Sequence, residues 1–274
     1  MTRDPVSIVM PAYNCEAFIA EAIASVQGQT YPHWNLIVVD DCSSDGTARV
    51  AREWTGRDPR IRVLSSLANG GSAAARNLGL SHGAGRYVAF LDADDVWAAD
   101  KLEKQLAFMA RRQAGFSFTA YQKFGPAGPG GVIRARPSVS WRDMLKGNRI
   151  GCSTVVLDTR VFPQIRFPAG LGRRTDHALW LSLFDAERRL DLIERGGRED
   201  YVLWLSLLRD GALAHGLDEP LTRYRVHATS KSAHKLRAIF AQWVVYRDIE
   251  KIPRPHAAWY LGHYAVRGMI KALR

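Results

Sequence analysis

The side chains able to do chemistry in this 274-residue chain fall into a few compact clusters. Asp92-Ala93-Asp94-Asp95 follows the apolar run Tyr87-Val88-Ala89-Phe90-Leu91. In extended backbone, residues two apart project to one side, so Asp92 and Asp94 can face a single ion. Hard carboxylate oxygens suit Mg²⁺ or Mn²⁺ and leave positions for phosphate oxygens and water. Gathered carboxylates repel one another, and a divalent cation supplies the missing positive charge. The same residues also suit a turn and a helix cap, because aspartate is common at both. Asp40-Asp41, after Leu36-Ile37-Val38-Val39, has the same two readings. One carboxylate accepts a hydrogen bond from a nucleobase N–H, and the other caps the helix opening at Gly46. Asn69-Gly70-Gly71-Ser72, ahead of a helix bearing Arg76, offers backbone N–H groups and a cation to phosphate. Neither the dinucleotide nor the P-loop glycine spacing is present. In the basic loop Tyr224-Arg225-Val226-His227-Ala228-Thr229-Ser230-Lys231, Arg225 can clamp a diphosphate and His227 can bind a metal or a phosphate.

The elements that position these clusters are legible in the first hundred residues. Val6-Ser7-Ile8-Val9-Met10 reads as a strand ending at Pro11. Residues 16–27 read as a helix, with Phe18, Ile19, Ala22, Ile23 and Val26 at three-and-four spacing. Leu36-Ile37-Val38-Val39 has the continuous apolar character of a strand buried on both faces. A helix opens at Asp45-Gly46-Thr47, a strand spans residues 61–64, residues 72–81 are helical, and residues 87–91 form a fourth buried strand. Strands one βαβ unit apart predict a mostly parallel sheet with helices on both faces. Ligands of such sheets bind beyond the carboxyl ends of the strands, where the acidic clusters fall.

Beyond Trp97 the pattern loosens. Residues 100–112 read as an amphipathic helix, residues 116–124 as a strand, and the Gly/Pro-rich residues 125–131 as a hairpin tip or a lid. Residues 154–157 read as another strand. The segment starting Asp176-His177-Ala178-Leu179-Trp180 recurs 24 residues later as Asp200-Tyr201-Val202-Leu203-Trp204, identical at six of eight positions over the full repeat. Two copies at this spacing indicate a local duplication rather than a solenoid. Each predicts a helix with an aspartate in its first turn.

With 47% hydrophobic and 24% charged residues the composition is that of a globular protein. Three cysteines make neither a disulfide framework nor a zinc pattern, which points to a reducing compartment. No signal peptide is read at the N-terminus, and no run suffices to span a bilayer. The expected location is cytoplasmic, peripheral on the inner face of the plasma membrane. The net charge is +11, and residues 225–274 hold ten Lys and Arg against two acids. That tail reads as two helices broken by Pro253 and Pro255. In the second, Trp259, Leu261 and Tyr264 are interleaved with His263 and Arg267, a pattern suited to anionic lipid or to packing on the domain.

Taken in order, the following segments resemble the family 2 glycosyltransferases: residues 6–14, Gln29-Thr30, Val39-Asp40-Asp41-Cys42-Ser43-Ser44-Asp45-Gly46-Thr47, Asn69-Gly70-Gly71 with Ala75-Arg76-Asn77, and Phe90-Leu91-Asp92-Ala93-Asp94-Asp95. The likeness is close over residues 5–97. It is sparser at Arg198-Glu199-Asp200-Tyr201 and Tyr224-Arg225-Val226-His227. The resemblance implies an α/β GT-A fold over residues 1–230, with a nucleotide-binding half to residue 97, an acceptor half to 230, and a helical extension over 231–274. It implies inverting transfer from a nucleotide sugar, usually a uridine diphosphate sugar, to an acceptor hydroxyl, with Mn²⁺ or Mg²⁺. Carried over by position, Pro11, Ala12, Tyr13 and Asp41, beside Asp40, hold the nucleoside. Arg76 binds the diphosphate, Asp92 lies near the ribose, and Asp94 is the principal metal ligand with Asp95 supporting. The acid of a Glu-Asp pair opening a helix is the base in this family, which implies Asp200 with Glu199 beside it. The duplication offers Asp176 as the alternative.

The implied acceptor is a glycan or lipid-linked intermediate of surface polysaccharide, and no nucleic acid partner is expected. A nucleotidyltransferase is disfavoured because no Gly-rich, Arg-bearing loop follows the first strand. A non-catalytic basic protein would leave the acidic strand ends unexplained.

Overall fold

The computed structural model describes residues 4–168, 198–226 and 235–272, which fall into two compact units. The first draws on residues 1–139, 150–166 and 213–227, and the second on 140–149, 167–212 and 228–274.

The first unit opens with four parallel strands, β1 (Val6–Ala12), β2 (Trp34–Asp40), β3 (Ile61–Ser65) and β4 (Tyr87–Phe90), in the order β3-β2-β1-β4. Three helices connect them: α1 (Ile19–Gln27), α2 (Thr47–Thr55) and α3 (Gly71–Ser81). The alternating faces of the central strands feed two separate apolar clusters. Ile8, Met10, Leu36 and Val38 pack with Ile19, Ile23 and Val26 of α1. Ile37 and Val39 pack on the other face with Ala75 and Leu78 of α3. Full burial of each such side chain contributes about 1.5–3 kcal/mol. Gly79 lets α3 sit close to the sheet, since a Cβ there would lie 2.5 Å from Val9 Cγ1.

β1 runs through Pro11 rather than stopping at it. The Val9 carbonyl accepts the Leu91 N–H, so Pro11, two residues on, turns its missing N–H towards the same neighbour. Pairing with β4 has already ended at Val9–Phe90, and no ladder bond is lost. Pairing with β2 continues to Ala12–Asp40.

The same sheet continues with β5 (Val96–Trp97), β6 (Phe116–Gly125), β9 (Val156–Asp158) and β10 (Ala214–Arg225). β9 lies antiparallel between β4 and β6, and β10 runs parallel to β6. β7 (Gly128–Ile133) folds back on β6 and β8 (Ser138–Val139) pairs with β10. The Gly/Pro-rich run is therefore a hairpin tip, with Gly125 opposite Gly128. The helix α4 (Lys101–Arg112) buries Leu102, Leu106 and Met109, as its spacing predicts.

In the second unit, α5 (Trp141–Leu145) begins with a reciprocal Ser140–Asp143 capping box. Helix Glu199–Leu208 packs on it, with the Tyr201 hydroxyl donating to the Met144 carbonyl at 3.0 Å. Helix Lys235–Val244 passes into a π-helical turn, Val245–Ile249. The last helix, Arg254–Ala272, places Pro255 in its first turn, where a missing N–H costs nothing. The first copy of the duplicated segment, with Asp176, lies outside the described residues. Among the described residues no helix is long and apolar enough to cross a membrane.

Candidate active site

Parallel pairing brings the ends of β1, β2 and β4 to one edge of the sheet, and most of the anticipated donor-site residues gather there. Pro11 and Ala12 close β1, and Tyr13 stands 52% exposed just beyond it. The Asp41 N–H donates to the Ala12 carbonyl at 2.8 Å, which fixes the second loop against the first. The two loops are knitted further by their own motif residues. Asn14, at φ 47°, accepts the Ser44 N–H through Oδ1 at 2.8 Å, and Thr47 Oγ1 accepts the Cys15 N–H at 2.8 Å. Glu16 Oε2 accepts the Gly46 N–H at 2.9 Å, and Asp45 Oδ1 accepts the Thr47 N–H at 3.0 Å.

Neither Asp40 nor Asp41 caps the helix at Gly46, contrary to expectation; Glu16 and Asp45 do so. Asp40 is buried and accepts the Ser43 N–H through Oδ1 at 3.3 Å. Asp41, only 2% exposed, accepts the Gly70 N–H at 3.0 Å and the Gly71 N–H at 2.7 Å, one on each oxygen. It is thus an anion at the N-terminus of α3, favoured there by the helix dipole. Gly71 adopts φ 80°, which a side chain would resist. The backbone N–H groups read as a phosphate cradle are turned to this carboxylate instead, because a buried charge must find donors.

Arg76, on α3, is nearly buried and donates through Nη2 to Asp92 Oδ1 at 2.6 Å. Asp92 lies past the end of β4, and the chain turns there. The Asp95 N–H donates to the Asp92 carbonyl at 3.0 Å, so Asp92-Ala93-Asp94-Asp95 is a turn rather than extended strand. Asp92 and Asp94 are half-buried, while Asp95 points inward, fully buried. Its carboxylate accepts the Ser153 hydroxyl at 2.6 Å and the Arg225 N–H at 2.9 Å. Burial, then the Asp94 and Asp92 charges, push Asp95 well above the ordinary carboxylate range. The turn gathers three carboxyl groups, two of them half-exposed, and hard oxygen donors of this kind suit a divalent cation. Among the described residues no group of three or more His, Cys, Asp and Glu side chains forms an ion cage.

Arg225, read as a diphosphate clamp, has its guanidinium turned to the turn itself. Nε donates to the Asp94 carbonyl at 2.7 Å, and the same group pairs with Glu21. It also lies over the rings of Phe18 and Phe124, at 4.9 and 4.3 Å. His227 and Asp176 lie outside the described residues. Glu199 and Asp200 belong to the second unit, in the first turn of helix Glu199–Leu208. Asn148 Nδ2 approaches Asp200 Oδ2 at 3.4 Å, and the Arg198 guanidinium pairs with the Tyr264 hydroxyl. Sequence reasoning missed Glu21, a polar position inside the predicted helix over 16–27, and Ser153, just ahead of the strand predicted over 154–157; both act through tertiary contact.

The profile of Glycosyl transferase family 2 matches residues 7–155, more than half of the chain, including the loops after β1, β2, β3 and β4 but not Arg225, Glu199 or Asp200. The chain is a family 2 glycosyltransferase. This glycosyltransferase is 39% identical over 270 residues to TuaG of Bacillus subtilis (strain 168), a glycosyltransferase assigned to teichuronic acid biosynthesis, covering 98% of this chain and 97% of TuaG. It is 34% identical over 267 residues to Escherichia coli WfgD, a UDP-Glc:alpha-D-GlcNAc-diphosphoundecaprenol beta-1,3-glucosyltransferase, covering 97% of this chain and 94% of WfgD. S. aureus TarS 1-349, solved in complex with UDP-GlcNAc, matches the glycosyltransferase with a TM-score of 0.68 at 18% identity, over 95% of this chain and 71% of that one. At such identity the likeness speaks for the fold alone. The α/β GT-A architecture expected from the resemblance is the one observed.

Proposed function

We propose that this glycosyltransferase transfers a sugar, with inversion, from a uridine diphosphate sugar to a hydroxyl of a glycan or lipid-linked acceptor in surface polysaccharide synthesis. The observation that carries the reading is the acidic turn Asp92-Ala93-Asp94-Asp95 set beside the buried Arg76 at the carboxyl edge of a parallel sheet. The choice of donor and acceptor is supported by WfgD, whose name specifies UDP-Glc and a diphosphoundecaprenol-linked sugar.

In this reading Pro11, Ala12, Tyr13, Asp40 and Asp41 border the nucleoside, and Asp92 reaches the ribose. Arg76 stabilises the diphosphate, with Arg225 holding the turn by its backbone. Asp94 would hold Mn²⁺ or Mg²⁺, with Asp95 supporting it from the buried side of the turn and His227 as a further ligand. When bound, the cation stabilises the negative charge left on the departing nucleoside diphosphate. Asp200, with Glu199 beside it, removes the proton from the acceptor hydroxyl as that oxygen attacks the anomeric carbon from the opposite face. The alternative base is Asp176. Support for Asp200 comes from its motif and its place in the first turn of a helix.

The tail adds a peripheral contact with anionic membrane at the cytoplasmic face, bringing the enzyme to a lipid-linked acceptor. Its basic charge and the exposure of Phe240 and Trp259 support that contact. The test is turnover of a panel of uridine diphosphate sugars with a diphosphopolyprenyl-linked sugar acceptor, with the product anomer read by NMR. Asp200→Asn is expected to lower kcat by about 10³-fold and leave nucleotide binding intact. Undiminished turnover in Asp200→Asn, with loss in Asp176→Asn, would move the base to the first copy. A retained anomeric configuration would overturn the inverting mechanism.

A further inference from the structure

The geometry points to Ser153 as the residue that sets the acidic turn for its cation, a positioning role that rests on the donor-site reading above. Ser153 is 3% exposed and comes from the 3₁₀ turn Cys152–Thr154, about sixty residues beyond the turn it touches. Its single hydroxyl engages both ends of that turn. Oγ accepts the Asp92 N–H at 3.1 Å and donates to Asp95 Oδ2 at 2.6 Å. A hydroxyl has one proton to give and two lone pairs, so this is nearly its full capacity. The bond to Asp95 is at the short end of the range for an O–H···O contact.

Ser153 is itself held firmly. Its carbonyl accepts the Trp97 indole N–H at 2.8 Å and the Thr222 hydroxyl at 3.2 Å. The neighbouring Thr154 carbonyl accepts Gln105 Nε2 at 3.0 Å, from the buried face of α4. The serine thus transmits the rigidity of β5, β10 and α4 to the turn. With one Asp95 oxygen on Ser153 and the other on the Arg225 N–H, that carboxylate is committed inward. Asp94 is left on the half-exposed side, where a cation can reach it. Partners that orient metal ligands in this way typically set affinity by about 10–100-fold.

The experiment is direct Mn²⁺ binding, by electron paramagnetic resonance of the free ion, in the presence of UDP as probe. Wild type, Ser153→Ala and Ser153→Cys are compared, with thermal unfolding measured alongside. Ser153→Ala is expected to weaken Mn²⁺ binding about tenfold or more. Ser153→Cys, which keeps the shape but offers a weaker donor, falls between, and carries the test if the alanine variant does not fold. Mn²⁺ affinity within twofold of wild type in both variants, whatever happens to Tm, would reduce Ser153 to a packing residue and overturn the inference. Failure of wild type itself to bind Mn²⁺ with UDP would instead overturn the donor-site reading.

Discussion

Arg76 Nη2 stands 2.6 Å from Asp92 Oδ1, joining the first turns of α3 to the residue that follows β4. The guanidinium side is 5% exposed and the carboxylate side 31%, so the pair straddles the surface of the site. It brings one fixed positive charge to a turn with three carboxylates. The same arginine is therefore a structural strut, and in the proposed function it also stabilises the donor diphosphate.

Breaking the pair from either side should be costly, and unequally so. Arg76→Ala leaves a buried cavity and an uncompensated acid, and should lower stability by about 3 kcal/mol. Asp92→Asn keeps a partial hydrogen bond at a more exposed group and should lower it by about 1 kcal/mol. In a double-mutant cycle read by urea unfolding, the coupling should be about 1–2 kcal/mol. Strict additivity would show that the contact contributes nothing.

Asp41 carries a second, separable expectation. Both of its oxygens accept N–H groups at the start of α3, so Asp41→Ala should destabilise the free protein by about 1–2 kcal/mol, with no nucleotide present. Chemical denaturation of the ligand-free protein checks this. A variant as stable as wild type would mean that the carboxylate is held for the nucleoside alone.

Lys101 gives the protein a pH signature. Its ammonium is completely buried, bonded to Gln105 Oε1 at 2.7 Å and 4.2 Å from the centre of the Trp97 ring, with burial pushing it down from 10.5 to about 7. Between those two values the unfolded chain binds the proton and the folded chain does not. Stability therefore rises with pH across that window. Lys101→Met removes the group, and the stability of wild type relative to that variant should rise steadily from pH 7 to pH 10. A difference independent of pH would show that the lysine titrates normally.

What the sequence disclosed, and what it withheld, follows from the range of the interactions. The spacing of Ile19, Ala22, Ile23 and Val26 is a local pattern, and those side chains are the ones α1 buries. The apolar runs of β2 and β4 and the alternation of strand and helix along the chain were legible for the same reason. The acidic turn was legible as a cluster but not in shape: alternation along a strand was assumed, and the Asp95–Asp92 backbone bond makes a turn. The N–H groups of Gly70 and Gly71 announced an anion, yet the anion that arrives is Asp41. The inward course of Arg225 and the reach of Ser153 depend on strands paired across more than fifty residues, and no local periodicity encodes such contacts.

The central claim, a cation-dependent nucleotide site built on the acidic turn, is tested most directly by calorimetric titration of UDP into wild type and Asp94→Ala, with and without Mn²⁺. Wild type should bind UDP strongly only when Mn²⁺ is present, and Asp94→Ala should lose that Mn²⁺-dependent binding while remaining folded. Equal binding by the two proteins in the presence of Mn²⁺ would contradict the account.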